Sequence, residues 1–224
     1  MSTYSLTLMR IFLTLILSPF LVSAQYVDTI ITTSVYKSHF DYNLKQPLFV
    51  EYILVNGGGE CDRSKFTFKN NTTIQMLGDK EYSSINDKTS KKLYNYDKGH
   101  LANSEDFAND CKDDELTFRY YNCIPQTPNL NRGTWKKWET TIREESKTDS
   151  LLVICGGVWK NSNTLNGVRI PSHCWKVVYS LNKNTTLHVL LFSNNKNNNT
   201  CEVITLQKLE EFLGYKVVLS YEED

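Results

Sequence analysis

The amino-acid sequence predicts an α+β fold in which helices flank a largely antiparallel central sheet. Three observations support this prediction. Four short segments are rich in β-branched, aromatic or leucine residues, two others carry apolar residues at helical spacing, and the two kinds alternate irregularly, without repeated β-α-β units. About 200 residues follow the N-terminal segment, enough to bury a sizeable core, so we expect one domain over residues 25–224.

Each predicted element corresponds to one of these segments. Strands are expected at residues 47–55, 151–155, 174–181 and 187–192. Helices are expected at residues 134–146 and 205–213, and Gly214 should end the second helix. In the first helix, Trp135, Trp138 and Ile142 recur at spacings of three and four, so Trp135 is expected to be mainly a core residue.

The N-terminal residues 1–24 have the pattern of a secretory signal peptide. Arg10 precedes an apolar run over residues 11–22, which ends at the small residues Ser23 and Ala24. A membrane anchor is the alternative, but the run is shorter than the roughly 20 residues of a spanning helix and contains Pro19. We therefore expect cleavage after Ala24 and a secreted, extracellular product without a membrane anchor.

All six cysteines follow the predicted signal peptide, and an even number in a secreted chain favours disulfide bonds. Reduced core cysteines and a structural zinc site are alternatives, although no Cys-x-x-Cys pair occurs. Cys155 and Cys174 stand at the facing ends of two strands that should pair as antiparallel neighbours, so we expect a bond between them. For the other four cysteines we favour the pairs Cys111–Cys123 and Cys61–Cys201.

Charge and glycosylation signals are weaker. Without residues 1–24 the chain has 24 basic and 25 acidic side chains, so affinity for phosphate would have to come from local groups of basic residues. Two such groups are Lys88, Lys91, Lys92 and Lys98, and Arg132, Lys136, Lys137 and Arg143; either could equally be a solvated face.

N-glycosylation sequons, which predict a glycoprotein, occur at Asn70, Asn71, Asn184 and Asn198.

Two blocks of residues carry the chemistry. The first places an acid, a base, a glycine and a histidine in succession, Asp97, Lys98, Gly99 and His100. Alone it is a weak signal, because a lone histidine is more often structural than catalytic. The second block combines amides, an aromatic residue and an acid, with Asn131 nine residues after the first asparagine and the acid eight residues later: Asn122, Pro125, Gln126, Asn131, Trp135 and Glu139.

These blocks resemble the DNA/RNA non-specific endonuclease family, which includes secreted bacterial nucleases and mitochondrial endonuclease G and uses a ββα-metal active site. The family signature is Asp-Arg-Gly-His, then Asn-x-x-Pro-Gln, four residues, Asn, and a helical Glu eight positions later. The second block matches without a gap, whereas Lys98 replaces the family's arginine in the first. A looser likeness covers residues 47–219, with Arg63 as a candidate for the upstream phosphate-binding arginine and residues 174–178 for a late strand.

The resemblance implies a magnesium-dependent endonuclease that hydrolyses DNA and RNA with little sequence specificity and leaves 5′-phosphate and 3′-hydroxyl ends. His100 would be the general base, since its unperturbed pKa of about 6.5 is closest to neutrality. Asn131 would bind Mg²⁺, or Mn²⁺ as an alternative, through its amide oxygen. Glu139 would reach the same ion through a water molecule of its hydration shell, because both residues approach from one side of the helix.

The resemblance assigns supporting roles to five further residues. Arg63 would hold a non-bridging phosphate oxygen and stabilise the transition state. Asp97 would hold the backbone or His100 in place, and Lys98 would keep the family's positive charge near the phosphates. Asn122 and Gln126 would orient the loop and the waters of the ion, or would be plain turn residues beside prolines. The remaining histidines are expected to be structural or exposed: His39, His173 and His188.

Two other functions remain open. A catalytically silent relative could bind nucleic acid or a protein partner, and an unrelated metal-dependent phosphodiesterase could act on small nucleotides. The retention of His100, Asn131 and Glu139 together favours the nuclease. The DNA to RNA preference and the oligomeric state are left open by the sequence.

Overall fold

A computed structural model describes residues 27–70, 73–86, 96–198 and 200–219. The predicted signal peptide, residues 1–24, lies outside the described residues. Four other residues singled out in the sequence also lie outside them: Asn71, Lys88, Lys91 and Lys92. Within the described part of the chain, no helix combines the length and the apolar character needed to span a membrane.

The architecture is built on a seven-stranded sheet in which every neighbouring pair is antiparallel. Its strands, in spatial order, are β1 (Thr29–Thr32), β2 (Lys37–Asp41), β3 (Gln46–Leu54), β6 (Leu151–Val158), β9 (His173–Ser180), β10 (Thr185–Ser193) and β11 (Cys201–Val203). Two smaller antiparallel pairs complete the described strands, β4 (Asp97–His100) with β5 (Cys123–Gln126), and β7 (Asn163–Leu165) with β8 (Val168–Ile170).

Four α-helices accompany these strands in the described residues: α1 (Asp79–Ser84), α2 (Cys111–Thr117), α3 (Lys136–Glu145) and α4 (Leu206–Leu213). Short 3-10 turns lie at Arg63–Lys65, Ser104–Asp106 and Tyr120–Asn122, and a π-helical segment, Leu130–Trp135, leads directly into α3. The predicted α+β class with a largely antiparallel central sheet is therefore confirmed.

The predicted elements are found near their expected positions, with two differences. Strand β6 continues to Val158, three residues beyond the predicted end, because Gly156 and Gly157 remain in the sheet. The predicted helix at residues 134–146 begins earlier and in another form, since the π-helical segment precedes α3. The second predicted helix ends as expected at Gly214, whose φ of 79° is the left-handed conformation that glycine adopts easily.

The two faces of the sheet have separate cores, because successive strand residues point to opposite sides. In β6, Val153 and Cys155 belong to a core that also contains Leu130, Trp135 and Ile142 of the π-helical segment and α3. The intervening residues of β6 face a second, smaller core, in which α4 packs on the sheet. Helix α3 and helix α4 therefore cover opposite faces.

The disulfide predictions were wrong. The described bond joins Cys61 to Cys111, while Cys155 and Cys174 are free and buried. Strands β6 and β9 do pair, but Cys155 lies opposite Lys176 and Cys174 lies opposite Gly157, so the two cysteines are offset by two residues. The pairs Cys111–Cys123 and Cys61–Cys201 are excluded by the observed bond, and both Cys123 and Cys201 are free.

Candidate active site

The candidate site is a ββα unit made by β4, β5 and the helix that follows them. Strand β4 pairs with β5 so that Asp97 lies opposite Gln126 and His100 opposite Cys123. The chain then enters the π-helical segment, which carries Asn131, and continues into α3, which carries Glu139. The two sequence blocks are therefore brought together by strand pairing and by the helix that follows it.

A cavity of about 830 Å³ opens at this unit. Six of the eight predicted site residues line it: Arg63, Asp97, Lys98, His100, Asn131 and Glu139. Asn122 and Gln126 are fully buried and do not line it. The structure thus brings together the candidate base, the candidate metal ligand and the candidate phosphate-binding arginine in a space of the size that ligand sites usually have.

His100 is enclosed by aromatic rings. The ring centroids of Phe68 and Phe118 each lie 4.8 Å from its imidazole. The Nε2 atom is buried and forms no hydrogen bond with any residue in the described ranges. Burial and the nearby positive charge of Arg63 lower the pKa of His100 to about 3, so the imidazole is held neutral in the substrate-free cavity.

Asp97 fixes the side chains that follow β5. Its carboxylate accepts hydrogen bonds from Nδ2 of Asn131 at 3.0 Å and from Nε and Nη2 of Arg132 at 2.8 and 2.7 Å. Asp97 was expected to hold the backbone or His100, but its carboxylate is turned towards the side chains of the π-helical segment. Because Nδ2 of Asn131 is used, its amide oxygen has a defined orientation and is the atom left for another partner.

Glu139 is a buried acid at the edge of the cavity, with 8% of its surface exposed. Burial raises the pKa of its carboxyl group to about 8, and the positive charge of Lys176 is the largest effect in the opposite direction. The side chain is therefore not an ordinary surface glutamate on an amphipathic helix. Its charge depends on the groups that are buried with it.

Arg63 reaches the cavity from a separate segment. It lies in a 3-10 turn that Asp62 caps, and the neighbouring Cys61 is bonded to Cys111 at the start of α2. The guanidinium group lies 5.6 Å from the ring centroid of Phe118, and Nη1 is 3.8 Å from Oε1 of Glu105. The disulfide bond therefore ties the turn that carries Arg63 to the rest of the site.

Lys98 is held by a cluster of polar and aromatic side chains at the cavity. Its Nζ donates to Oδ1 of Asp79 at 2.6 Å and to the hydroxyl group of Tyr120 at 3.0 Å, and Tyr120 also donates to Asp79. The ammonium group lies 5.1 Å from the ring centroid of Phe68. Lys98 keeps a positive charge at the position of the family's arginine. In this structure its ammonium group binds the side chains of Asp79 and Tyr120.

Asn122 and Gln126 are buried beside the two strands of the site. The Asn122 side chain accepts from the amide of Ala102 and donates to the carbonyl groups of Ala102 and Thr117, which holds the chain just after His100. Gln126 packs against Gly99, where an added Cβ would lie 2.2 Å from its Oε1. Of the two roles weighed for these amides, the contacts support orienting the loop for Asn122. The amide group of Gln126 is buried and forms no hydrogen bond within the described residues, so its role stays a prediction.

Sequence reasoning missed several groups that line the cavity. Asp79, Glu105, Phe68 and Phe118 come from segments far apart in the chain, and no spacing or motif connects them with the two blocks. A signal did exist for Arg132 and Lys136, which belong to the second basic group and line the cavity. Arg143 of the same group is buried instead, with Nε 2.9 Å from Oδ1 of Asp106.

The other histidines have structural contacts outside this cavity. His39 lies 3.0 Å from Oε1 of Glu51, and His188 lies 2.8 Å from Oε1 of Glu145. His173 contacts the hydroxyl group of Ser172 at 3.2 Å. The expectation that they are structural or exposed is confirmed.

Comparisons with known proteins agree with this geometry. A segment of 88 residues is 38% identical to a curated nuclease from Nostoc sp. (strain PCC 7120), and it covers 38% of this chain. The matched segment spans 32% of the length of that nuclease, or about a third. A solved structure of the EndoG/EndoGI complex has a TM-score of 0.64 at 21% identity, over 83% of each chain, and so shows a shared fold.

The family comparison covers most of the chain. Residues 22–221 match the family described as DNA/RNA non-specific endonuclease, a range that includes the ββα unit, the turn of Arg63 and the whole seven-stranded sheet. By this match, and in agreement with the fold and the residues that line the cavity, the chain belongs to the DNA/RNA non-specific endonuclease family.

Proposed function

We propose that this protein is a secreted, magnesium-dependent endonuclease that hydrolyses phosphodiester bonds of DNA and RNA with little sequence specificity. The observation that carries the proposal is the convergence of a neutral His100, Asn131, Glu139 and Arg63 on one cavity in a member of this family. Each of these side chains has a separate task in the hydrolysis of a phosphodiester.

His100 is the general base. Hydrolysis needs a group that takes a proton from the attacking water, and the lowered pKa of His100 keeps its imidazole unprotonated at neutral pH. The rings of Phe68 and Phe118 restrict the orientation of the imidazole in the cavity. A positioned base of this kind contributes roughly 10² to 10⁴ in rate.

The residues present fit a divalent cation. Nδ2 of Asn131 donates a hydrogen bond to Asp97, which leaves the amide oxygen of Asn131 free. This oxygen is a hard ligand, of the kind that suits Mg²⁺ or Mn²⁺. Asn131 would hold the ion directly, and Glu139 would hold its water ligands. When bound, the ion supplies positive charge at the scissile phosphate and at the leaving 3′ oxygen, so the products would carry 5′-phosphate and 3′-hydroxyl ends.

The cationic side chains of the cavity account for binding with little sequence specificity. Arg63, Lys98, Arg132 and Lys136 line it, and such groups bind the phosphate backbone, which carries no sequence information. Arg63 would hold a non-bridging oxygen as negative charge develops on the phosphate. DNA and RNA share this backbone, so both would be substrates.

Secretion is supported by the N-terminal pattern and by the cysteines. Residues 1–24 have the features of a signal peptide, and the disulfide between Cys61 and Cys111 suits an oxidising compartment. The sequons at Asn70, Asn184 and Asn198 agree with passage through a secretory route.

The direct test is a nuclease assay on the purified mature chain. Supercoiled plasmid and a structured RNA should both be cut with Mg²⁺, and a chelator should stop the reaction. End-labelling should find 5′-phosphate termini. Binding without cleavage would instead indicate a silent relative, and cleavage of small phosphodiesters alone would indicate a nucleotide phosphodiesterase. Either result would overturn the proposal.

A further inference from the structure

A lysine is buried directly behind the candidate site. Lys176 lies in the middle of β9, opposite Cys155 of β6 and Leu190 of β10, and its side chain is fully buried. Its Nζ lies 4.3 Å from the ring centroid of Trp135 and forms no standard hydrogen bond within the described residues. Lysine is almost never fully buried unless something compensates its charge, so its partner must be identified.

The face of the helix above Lys176 carries Glu139. Trp135, Glu139 and Arg143 recur every four residues, so they lie on one side of the helix, and all three are buried. Trp135 packs on Phe192 of β10, the strand beside β9, at a ring distance of 5.0 Å. Lys176 thus lies between the sheet and the helical face from which Glu139 reaches the cavity.

The charges around Glu139 show which cation is available to it. Arg143 is already engaged, with Nε 2.9 Å from Asp106 and Nη1 3.2 Å from Glu105. Lys176 is the first cation among the groups that lower the pKa of Glu139, ahead of Arg143, whereas burial and Asp106 raise it. Lys176 has no contact ion pair of its own in the described part of the chain. Its positive charge also opposes the raised pKa values of Asp106 and Cys155, so Glu139 is one of several buried groups on which it acts.

Three other groups complete the surroundings of Glu139. The indole of Trp135 lowers its pKa, although its Nε1 is buried and forms no hydrogen bond of normal geometry within the described residues. The thiol of Cys155 on β6 and the phenol of Tyr52 on β3 are neutral, and Glu139 raises the pKa of both. None of the three brings a positive charge.

We propose that Lys176 is a positioning residue for the nuclease site, whose buried ammonium group is the counter-charge that allows Glu139 to face the cavity as a carboxylate. The coupling of the two charges does not depend on the proposed function; only its effect on the cleavage rate rests on that function. Lys176 does not touch the substrate. Its effect passes through Glu139, which needs a negative charge to hold the water ligands of a divalent cation.

The first test measures the coupling of the two charges in the metal-free protein. The melting temperatures of the parent, Lys176→Met, Glu139→Gln and the double variant are compared at pH 9. Lys176→Met should melt about 10 °C lower, because it leaves a buried carboxylate without its counter-charge. The double variant should recover most of this loss. Additive effects, or a double variant that does not fold, would show that Lys176 serves only the packing on Trp135.

The second test follows the consequence in catalysis. Lys176→Met should lower the rate by roughly 10- to 100-fold at neutral pH and raise the magnesium concentration needed for half-maximal rate. The loss should shrink as the pH rises and should be absent in a Glu139→Gln background. Lys176→Arg should recover part of the rate. An unchanged magnesium requirement in Lys176→Met would overturn the inference.

A matched control is Lys183→Met, which removes an exposed lysine from the end of the same sheet, 3.1 Å from Asp149. It should leave the magnesium requirement and the pH profile unchanged. The two tests also separate the inference from the proposed function. If the parent cuts no nucleic acid, the proposed function fails, whereas the melting temperatures still decide whether Lys176 and Glu139 are coupled.

Discussion

His100 illustrates how neighbouring side chains determine what one residue can do. The imidazole that would accept a proton is packed between Phe68 and Phe118, and burial and Arg63 both disfavour its charged form. The sequence identifies the histidine as a candidate general base, because it belongs to a recognisable block. It does not identify the two phenylalanines, which reach the site from other segments.

The lowered pKa of His100 predicts a specific dependence of stability on pH. The unfolded chain binds this proton near pH 6.5 and the folded chain only near pH 3, so protonation favours unfolding in between. The contribution of His100 to the free energy of unfolding is therefore fully present above pH 6.5 and is lost as the pH falls towards 3. In the metal-free protein, the melting temperature should fall more steeply from pH 7 to pH 4 in the parent than in His100→Ala. Parallel curves would contradict the assignment.

The separate tasks of His100 and Asn131 predict different responses to magnesium. His100→Ala should cut roughly 10² to 10⁴ times more slowly at every magnesium concentration, since the base is absent. Asn131→Ala should lose affinity for the ion, so a higher concentration should recover part of its rate. The measurement is the initial rate of plasmid cleavage against magnesium concentration. Recovery of His100→Ala by excess magnesium would mean that His100 organises the metal.

At the scale of single elements, the sequence predicts strands better than their register. The runs of β-branched, aromatic and leucine residues in β6 and β9 identify both strands, but they do not say which residues lie opposite each other. The offset of two residues between Cys155 and Cys174 is a matter of this register, which a composition rich in β-forming residues does not specify. The turn of Arg63, with only three residues, has no sequence pattern of its own, so only the resemblance identifies Arg63.

The disulfide between Cys61 and Cys111 should stabilise the fold and position Arg63. The bond closes a loop of 50 residues, so its removal in Cys61→Ser/Cys111→Ser should cost about 4 kcal/mol of unfolding free energy. The cleavage rate should fall, but by less than the roughly 10² to 10³ expected for Arg63→Ala, which removes the cation itself.

Thermal unfolding and initial rates measure the two effects, with Cys201→Ser as the control because that cysteine is free. Peptide mapping without reduction should find Cys61 linked to Cys111. A double variant as active as the parent would show that the turn of Arg63 needs no covalent tie.

At the scale of the whole molecule, the sheet separates the site from the second core. The ββα unit, the cavity and the π-helical segment belong to one face, and α4 packs on the other with Leu209 fully buried. The class of the fold follows from the sequence because many strand residues contribute to it. The buried charges of Lys176 and Glu139 do not, since only the packed structure brings β9 beneath α3.

This separation predicts that stability and rate can be changed independently. Leu209→Ala should lower the unfolding free energy by about 2 to 5 kcal/mol and leave the cleavage rate unchanged well below the melting temperature. Leu130→Ala, which opens a similar space beside Asn131, should lower both. Chemical denaturation and initial rates at 25 °C give the comparison. A large loss of rate in Leu209→Ala would show that the two faces are coupled.

Because of the π-helical segment, the relative direction of the Asn131 and Glu139 side chains depends on the exact number of residues between them, as well as on which residues these are. A π turn takes up about one residue more than an α turn, and one residue in an α-helix corresponds to a rotation of about 100°. Deleting Gly133 would let residues 130–135 wind as a regular helix and would swing Asn131 away from Asp97 and from Glu139. The site therefore depends on the extra residue in the π turn. A shortened chain with a more regular helix would be a weaker nuclease.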